Sequence, residues 1–462
     1  MRLAKLIEKI FKLILPSPFT IAVILTFLSM IIAFWFNWDK SEDFESQCIT
    51  ILSYWEKGLW NPSLLVFAMQ MILMLVLGHV LALSRPVNQA INFMTNFCSS
   101  TAKAAFFVCL LSLIVSLFNW GLGLIFGAIF ARKVAENANK NKWKIHYPLI
   151  GASGYSGLMV WHGGLSGSAP VKAAEEGHLK SLMGEIYSAE KLAALPDQLT
   201  FAETVLSPMN LAVSISLLIV LPIVVFVIGT KIKSKVCELN PIWIEEIPTI
   251  TNGAEKLDHS KGLALIFGLG ILSFAIYKAI LLPQSINLSF INPNFINFFL
   301  LGLGILLHGN FYRFLQAIEN AIGGASGILI QFPLYFGIMG IMKHSGIVVH
   351  LSDFFVGISS QESFPIFTFF SAGLVNIFIP SGGGQWAIQG PILIEASQQL
   401  GIDLGKNIMA MAYGDQITNM LQPFWALPLL GITGLKAKEI LPYTLILMMV
   451  GVIIFIVGLL IF

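Results

Sequence analysis

The sequence predicts an all-α polytopic membrane protein made of two inverted repeats, each with a re-entrant helical hairpin and a broken helix. Three observations carry this expectation. Of the 462 residues, 56% are hydrophobic and 11% charged, with a mean hydropathy of +0.80; soluble domains carry roughly 25% charged residues. Apolar runs long enough to span a bilayer recur along the chain. One order of elements, helix, helix, hairpin, helix, helix, occurs twice.

Arg2, Lys5, Lys9 and Lys12 precede an apolar run from about Ile14 to Phe36. The run suits about 30 Å of hydrocarbon and lacks a small-residue cleavage site, so it reads as a first membrane helix, not a signal peptide. Further helices are expected at 62–83, 147–169, 203–229, 261–282, 294–308, 321–342, 406–431 and 440–462.

Two apolar regions depart from the spanning pattern. Residues 104–135 are broken by Asn119-Trp120-Gly121-Leu122-Gly123, and 364–398 by Pro380-Ser381-Gly382-Gly383-Gly384. With arms of about 15 residues, about 22 Å as helix, each region reads as a hairpin that returns to its own side. A cytoplasmic N-terminus and two such hairpins put 19 of the 27 Lys and Arg residues on the cytoplasmic side, as the positive-inside rule demands. A crossing at 104–135 would move the basic clusters at 231–235 and 256–261 outside.

The first repeat then covers 1–230 and the second 294–462. The polar connector and an unpaired linker helix occupy 231–293 and invert the second half. Inverted repeats whose broken elements meet near the midplane are a secondary-transporter architecture.

Non-helical backbone survives at membrane depth only where protein buries it or a cavity takes it up. The hairpin tips are therefore the first binding candidates. Glycine permits close backbone approach, and a helix starting after a tip turns its positive end toward a ligand. Two such ends can hold a carboxylate without a buried Arg or Lys. This selects Asn119, Gly121 and Gly123 at the first tip, and Ser381, Gly382, Gly383, Gly384, Trp386 and Gln389 at the second. Tight helix packing is the competing account of the glycines, and interfacial anchoring that of the tryptophans.

A broken helix follows each hairpin, at Gly163–Pro170 with Ser166 and Ser168, and at Gly414–Pro423 with Asp415, Asn419 and Gln422. Asp415 lies inside an apolar crossing, where a carboxylate is a functional candidate by default. With Asn376 and Asn419 it is a candidate for the coupling ion, H⁺ or Na⁺. A structural hydrogen bond is the alternative. His162, beside the first break, reads more simply as a satisfied packing residue.

Other functions find less support. No basic patch with interleaved aromatics suggests nucleic acid. Cys48, Cys98, Cys109 and Cys237 are scattered, so neither a metal knuckle nor a disulfide framework is expected. No cofactor is implied, and no metal beyond a possible Na⁺. Gly164-Leu165-Ser166-Gly167 matches the GxSG of intramembrane serine proteases, but the pattern is weak in a glycine-rich chain. A channel suits duplicated hairpins less well than alternating access does.

Taken together, these motifs make the whole chain similar to the short-chain fatty acid transporter family of the AtoE type, in the ion-transporter superfamily. The resemblance is carried by Asn119-Trp120-Gly121 with Gly123, by Gly164 with Ser166-Gly167-Ser168 and Pro170, and by Gln331-Phe332-Pro333. It is strongest at Val375-Asn376, Pro380–Gly384, Trp386 and Gln389-Gly390-Pro391, and continues through Ala412-Tyr413-Gly414 and Gln422–Pro428. It implies cation-coupled uptake of acetoacetate- or butyrate-like monocarboxylates across the inner membrane by an elevator-type homodimer. A dicarboxylate is the main competing substrate. The polar loop at 171–200 is assigned no role.

Overall fold

The structure is a computed structural model that describes residues 16–36, 43–184, 187–236, 253–281 and 293–462. The N-terminal cations, Lys40, Cys237 and most of the polar connector lie outside the described residues. Among the described residues, seven helices are long and apolar enough to cross a membrane, and the chain is a multi-pass membrane protein.

Every expected apolar run forms helix, with adjusted ends. Pro18–Phe36, Pro62–Leu83, Pro208–Lys231, Lys261–Ile276, Pro293–His308, Ser326–His344 and Ala437–Ile461 are the long segments outside the hairpins. Their exposed faces are apolar (Ile24, Phe27, Ile31, Ile215, Ile219, Ile266, Ile453), as lipid contact demands. Between them run helices that the hydropathy pattern does not reveal: the amphipathic Phe44–Leu59, Arg85–Thr95 and Phe311–Ile322, and the short apolar Ile347–Gly357. The first packs tightly on Ser326–His344, where a Cβ on Gly58 would lie 2.9 Å from Gly340 Cα.

With these helices included, both halves follow one order: long helix, connecting helix, long helix, connecting helix, hairpin, broken helix, long helix. Lys261–Ile276 stands between them.

Both hairpins are antiparallel pairs. In the first, Thr101–Phe118 turns at Asn119 into Trp120–Lys140. Gly123 packs on Ser116 and Gly127 on Ser112 Oγ, the inverse register of two arms running opposite ways. Those glycines serve packing. In the second, Phe364–Phe378 returns as Gly382–Leu400; Gln389 Nε2 donates to Ser371 Oγ at 3.2 Å and Gln361 Nε2 to Gly401 O at 3.3 Å. The first pair of arms has 18 and 21 residues, about 27 and 32 Å of helix. They exceed the expected 15, and Thr101–Phe118 is itself long and apolar enough to cross a membrane, so arm length does not mark this pair as re-entrant.

The breaks are more extensive than an interrupted helix. Tyr147–Tyr155 gives way to 3-10 turns at Ser156–Met159 and Trp161–Gly163, then to Ser168–Ala173. Leu404–Thr418 ends in a 3-10 turn at Asn419–Leu421 before Pro423–Thr433. Proline at 170 and 423 supplies a helix start where its missing N–H costs nothing.

Candidate binding site at the hairpin tips

Each tip begins its return arm with a side-chain cap. Asn119 Oδ1 accepts from Leu122 N at 3.0 Å, and Ser381 Oγ accepts from Gly384 N at 3.2 Å. Such caps satisfy orphan donors in a helix's first turn. The polar side chains at both tips are thus committed to starting a helix, which leaves the positive helix end for a ligand.

Each tip also docks on the break of its own half. Leu165 N donates to Leu117 O at 2.8 Å, and Trp120 N donates to Ser166 Oγ at 2.9 Å. In the second half Asn376 Nδ2 donates to Asp415 O at 2.6 Å and to Asn419 Oδ1 at 2.7 Å. Gln422 Nε2 donates to Asn376 O. Asp415, Asn419 and Asn376, chosen as coupling-ion candidates, are therefore brought together, with Gln422 beside them.

The two breaks meet, and His162 joins them. Its backbone N donates to Gln416 Oε1 at 2.9 Å, and its Nδ1 lies 2.5 Å from Asp415 Oδ2. That contact has ion-pair distance without hydrogen-bond alignment. Ala169 N donates to His162 Nε2 at 3.0 Å, which assigns the ring proton to Nδ1, facing the carboxylate. The ring also stacks on Trp161, with centroids 4.4 Å apart. Both polar side chains are buried, at 0% and 1% exposure. Tyr155 adds a further tie, its hydroxyl donating to Asn419 O at 2.7 Å.

Gly382 closes the cluster. A Cβ there would lie 2.9 Å from His162 Cε1, 3.0 Å from Trp161 and 3.1 Å from Asp415 Oδ2. The start of the second return arm thus rests directly on the Asp415–His162 pair. Gly383 faces open space, with nothing within 4 Å of its would-be Cβ, whereas Gly384 abuts Met339. Gly121 packs on Met74 at the first tip.

Several polar atoms here are buried without a hydrogen-bond partner: Asp415 Oδ1, Asn376 Oδ1, Asn419 Nδ2 and Gln422 Oε1. Unpaired buried polar groups are costly, so their concentration at one place makes this cluster the candidate site for a ligand, ion or water that would complete the bonding. Aromatic rings flank it. Trp120 meets Trp425 edge-on at 5.1 Å and Trp161 at 5.9 Å, and Phe67 packs on Trp120 and Trp425.

Not every candidate joins the cluster. Ser168 opens the short helix Ser168–Ala173. Gln389 binds Ser371 between the hairpin arms and accepts from Gln385 Nε2 at 2.7 Å. Trp386 is buried away from the tip, its Nε1 donating to His178 Nε2 at 3.0 Å. It belongs to a second core in which Leu179, Met183, Leu195 and Leu199 cover the return arm. The 171–200 loop therefore has a structural task that the sequence did not reveal. His162, read from the sequence as a packing residue, is brought into the cluster by the structure. Its one usable signal was adjacency to the break at Gly163-Gly164.

The chain matches the family described as Short chain fatty acid transporter over residues 1–462. It is 36% identical over 456 residues to a protein of Escherichia coli (strain K12), covering 97% of this chain and 96% of that one. A protein of Haemophilus influenzae is 36% identical over 455 residues, covering 96% of each. Both are named "Putative short-chain fatty acid transporter". Among solved structures, the YdaH transporter of Alcanivorax borkumensis aligns with 15% identity and a TM-score of 0.46, covering 96% of this chain and 98% of its own. MtrF of Neisseria gonorrhoeae, described with a class of antimetabolite efflux pumps, aligns with 13% identity and a TM-score of 0.47, covering 97% and 96%. Those two likenesses are too distant to carry an inference about mechanism. Over its full length, the chain belongs to the short-chain fatty acid transporter family.

Proposed function

We propose that this protein is a secondary active transporter, not an enzyme, that takes up short-chain monocarboxylates of the acetoacetate or butyrate type by cation symport across the inner membrane. One observation carries the reading: two capped helix starts meet two broken helices around a buried carboxylate and several unsatisfied polar atoms. Helix starts favour an anion. Neither tip nor break, over 119–123, 161–168, 380–386 and 414–422, contains a lysine or arginine. Without such a fork, a single carboxylate fits better than two. The Trp120, Trp161 and Trp425 rings supply apolar walls for a short acyl chain.

The repeated order of elements supports two repeats, and the distribution of Lys and Arg supports their inversion and a cytoplasmic N-terminus. Alternating access then moves hairpins and breaks as one body against the amphipathic and long helices, within an elevator-type homodimer. Asp415, with Asn376 and Asn419, takes the coupling cation, H⁺ or Na⁺.

The test is uptake of labelled acetoacetate and butyrate into reconstituted vesicles under imposed Na⁺ or H⁺ gradients. Accumulation above equilibrium that follows one gradient is the expected result. Flux that never exceeds equilibrium under either gradient identifies a channel and removes the symport reading.

A further inference from the structure

Asp415 lies beside the helix start where the proposed substrate carboxylate would bind. Its Oδ2 would meet a Cβ on Gly382, the first residue of a 19-residue helix, at 3.1 Å, and both its oxygens are buried without a hydrogen-bond partner. The first N–H groups of a helix lack intrahelical acceptors. Here Ser381 satisfies the N–H groups of Gly384 and Gln385, which leaves those of Gly382 and Gly383 for an anion. Gly383 opens onto free space, so a second anion has room to approach the same helix start.

We infer that Asp415 and the substrate carboxylate compete for the start of helix Gly382–Leu400, so that the anion binds there only once a cation has neutralised Asp415. The inference rests on the monocarboxylate reading above. Two carboxylates at one buried helix start repel strongly, because the interior screens charge poorly. His162 does not remove that repulsion. Its Nε2 accepts from Ala169 N–H, which leaves only Nδ1 to face the carboxylate, and Nδ1 makes no aligned hydrogen bond with it.

Nor, among the described residues, does another cation supply compensation. Of the elements packed on Leu404–Thr418, the outgoing arm Phe364–Phe378 has no titratable group. The return arm has Glu395, which accepts from Gln399. Ser168–Ala173 has Lys172, paired with Glu175 at the surface. Ala437–Ile461 has Lys438, Glu439 and Tyr443, all within two turns of its start, and Leu404–Thr418 itself has Lys406 in its first turn. Tyr155 donates to Asn419 O and Tyr413 to Asn210 Oδ1. Charge balance at the tip is therefore left to an ion from solution. Coupling follows directly: the cation makes the anion site, and the anion holds the cation by the same free energy.

The test is equilibrium binding of butyrate to the purified full chain, wild type and Asp415→Asn, in alkaline sodium-free buffer and then with Na⁺ or at acid pH. Wild-type affinity should rise at least about tenfold with the effective cation, a modest fraction of what close like charges generate. Asp415→Asn should bind butyrate without the cation as tightly as wild type does with it, and gain nothing further. A folded Asp415→Asn that keeps the wild-type cation dependence overturns the inference, as does one that loses butyrate binding altogether. Should Asp415→Asn fail to fold, wild type decides by itself. Butyrate binding must take up about one proton or Na⁺ per anion bound, and binding without cation uptake overturns the proposal. If wild type binds no butyrate under any condition, the monocarboxylate reading fails first and the inference with it.

Discussion

His162 Nδ1 lies 2.5 Å from Asp415 Oδ2, and the contact joins the broken helix of one half to that of the other. Both side chains are excluded from solvent. Truncating His162 therefore leaves a buried carboxylate without its facing group. His162→Ala should lower stability by about 2 kcal/mol or more, while His162→Asn, which keeps a side-chain N–H, should recover much of the loss. Melting temperature in detergent measures this. An alanine variant as stable as wild type would show that the two groups are neighbours without an energetic link.

Gly382 and Gly383 are adjacent, yet they should respond oppositely to alanine. At 382 the new methyl group meets His162, Trp161 and Asp415, so Gly382→Ala should destabilise the protein and abolish uptake. At 383 the methyl group meets nothing, and replacing a helical glycine stabilises by up to about 1 kcal/mol. Gly383→Ala should keep or raise the melting temperature but increase KM for butyrate, because it fills the space the anion would use. An unchanged KM would place the anion elsewhere.

The two caps make a charge test possible. Asn119→Ala and Ser381→Ala should each cost about 1 kcal/mol. Aspartate is an equally good cap, so Asn119→Asp and Ser381→Asp should restore stability. Each nevertheless adds a negative charge at a helix start proposed to receive an anion, so butyrate uptake should fall at least about tenfold. Aspartate variants with normal uptake would remove the tips from the binding site.

His178 offers a pH test away from the bilayer. Burial pushes its pKa below the ordinary histidine value, and Lys172 acts in the same direction. Its Nε2 must be unprotonated to accept from Trp386. Because the folded pKa is depressed, the contribution of the neutral ring is full above the unfolded value of about 6.5 and is lost as pH falls through the folded value. Acidification should release the 168–199 segment from the return arm, seen as a change in Trp386 fluorescence. His178→Gln, which retains an acceptor, should flatten that response.

Much of the fold was legible because lipid imposes long apolar runs and because Pro and Gly mark where helices stop. Asn119 and the Pro380–Gly384 run located both tips. The amphipathic helices Phe44–Leu59, Arg85–Thr95 and Phe311–Ile322 were not legible. Their polar faces read as connectors in any search for apolar runs, and tertiary packing decides that they are helical. Asp415, Asn376 and Asn419 could be nominated singly, since polar groups at membrane depth are conspicuous. That His162 faces Asp415 could not, because the partners lie in different halves and no local spacing encodes the contact. Trp386 shows the converse. A tryptophan beside a glycine-rich tip resembles a pocket wall, but which way its indole points is set by the 171–200 segment, whose polar sequence masks the apolar anchors Leu179 and Met183.

The ties between the halves also bear on how the protein is made. Synthesis delivers His162, Tyr155 and Asn210 to the membrane long before Asp415, Asn419 and Tyr413, the groups they finally meet. During that interval the early half carries polar side chains in lipid with their eventual partners still unwritten. Biogenesis is therefore a waiting problem: the nascent first half must be sheltered, by water or by an insertion factor, until the ribosome supplies its complement. Separately expressed halves should accordingly be short-lived alone and accumulate only when produced together.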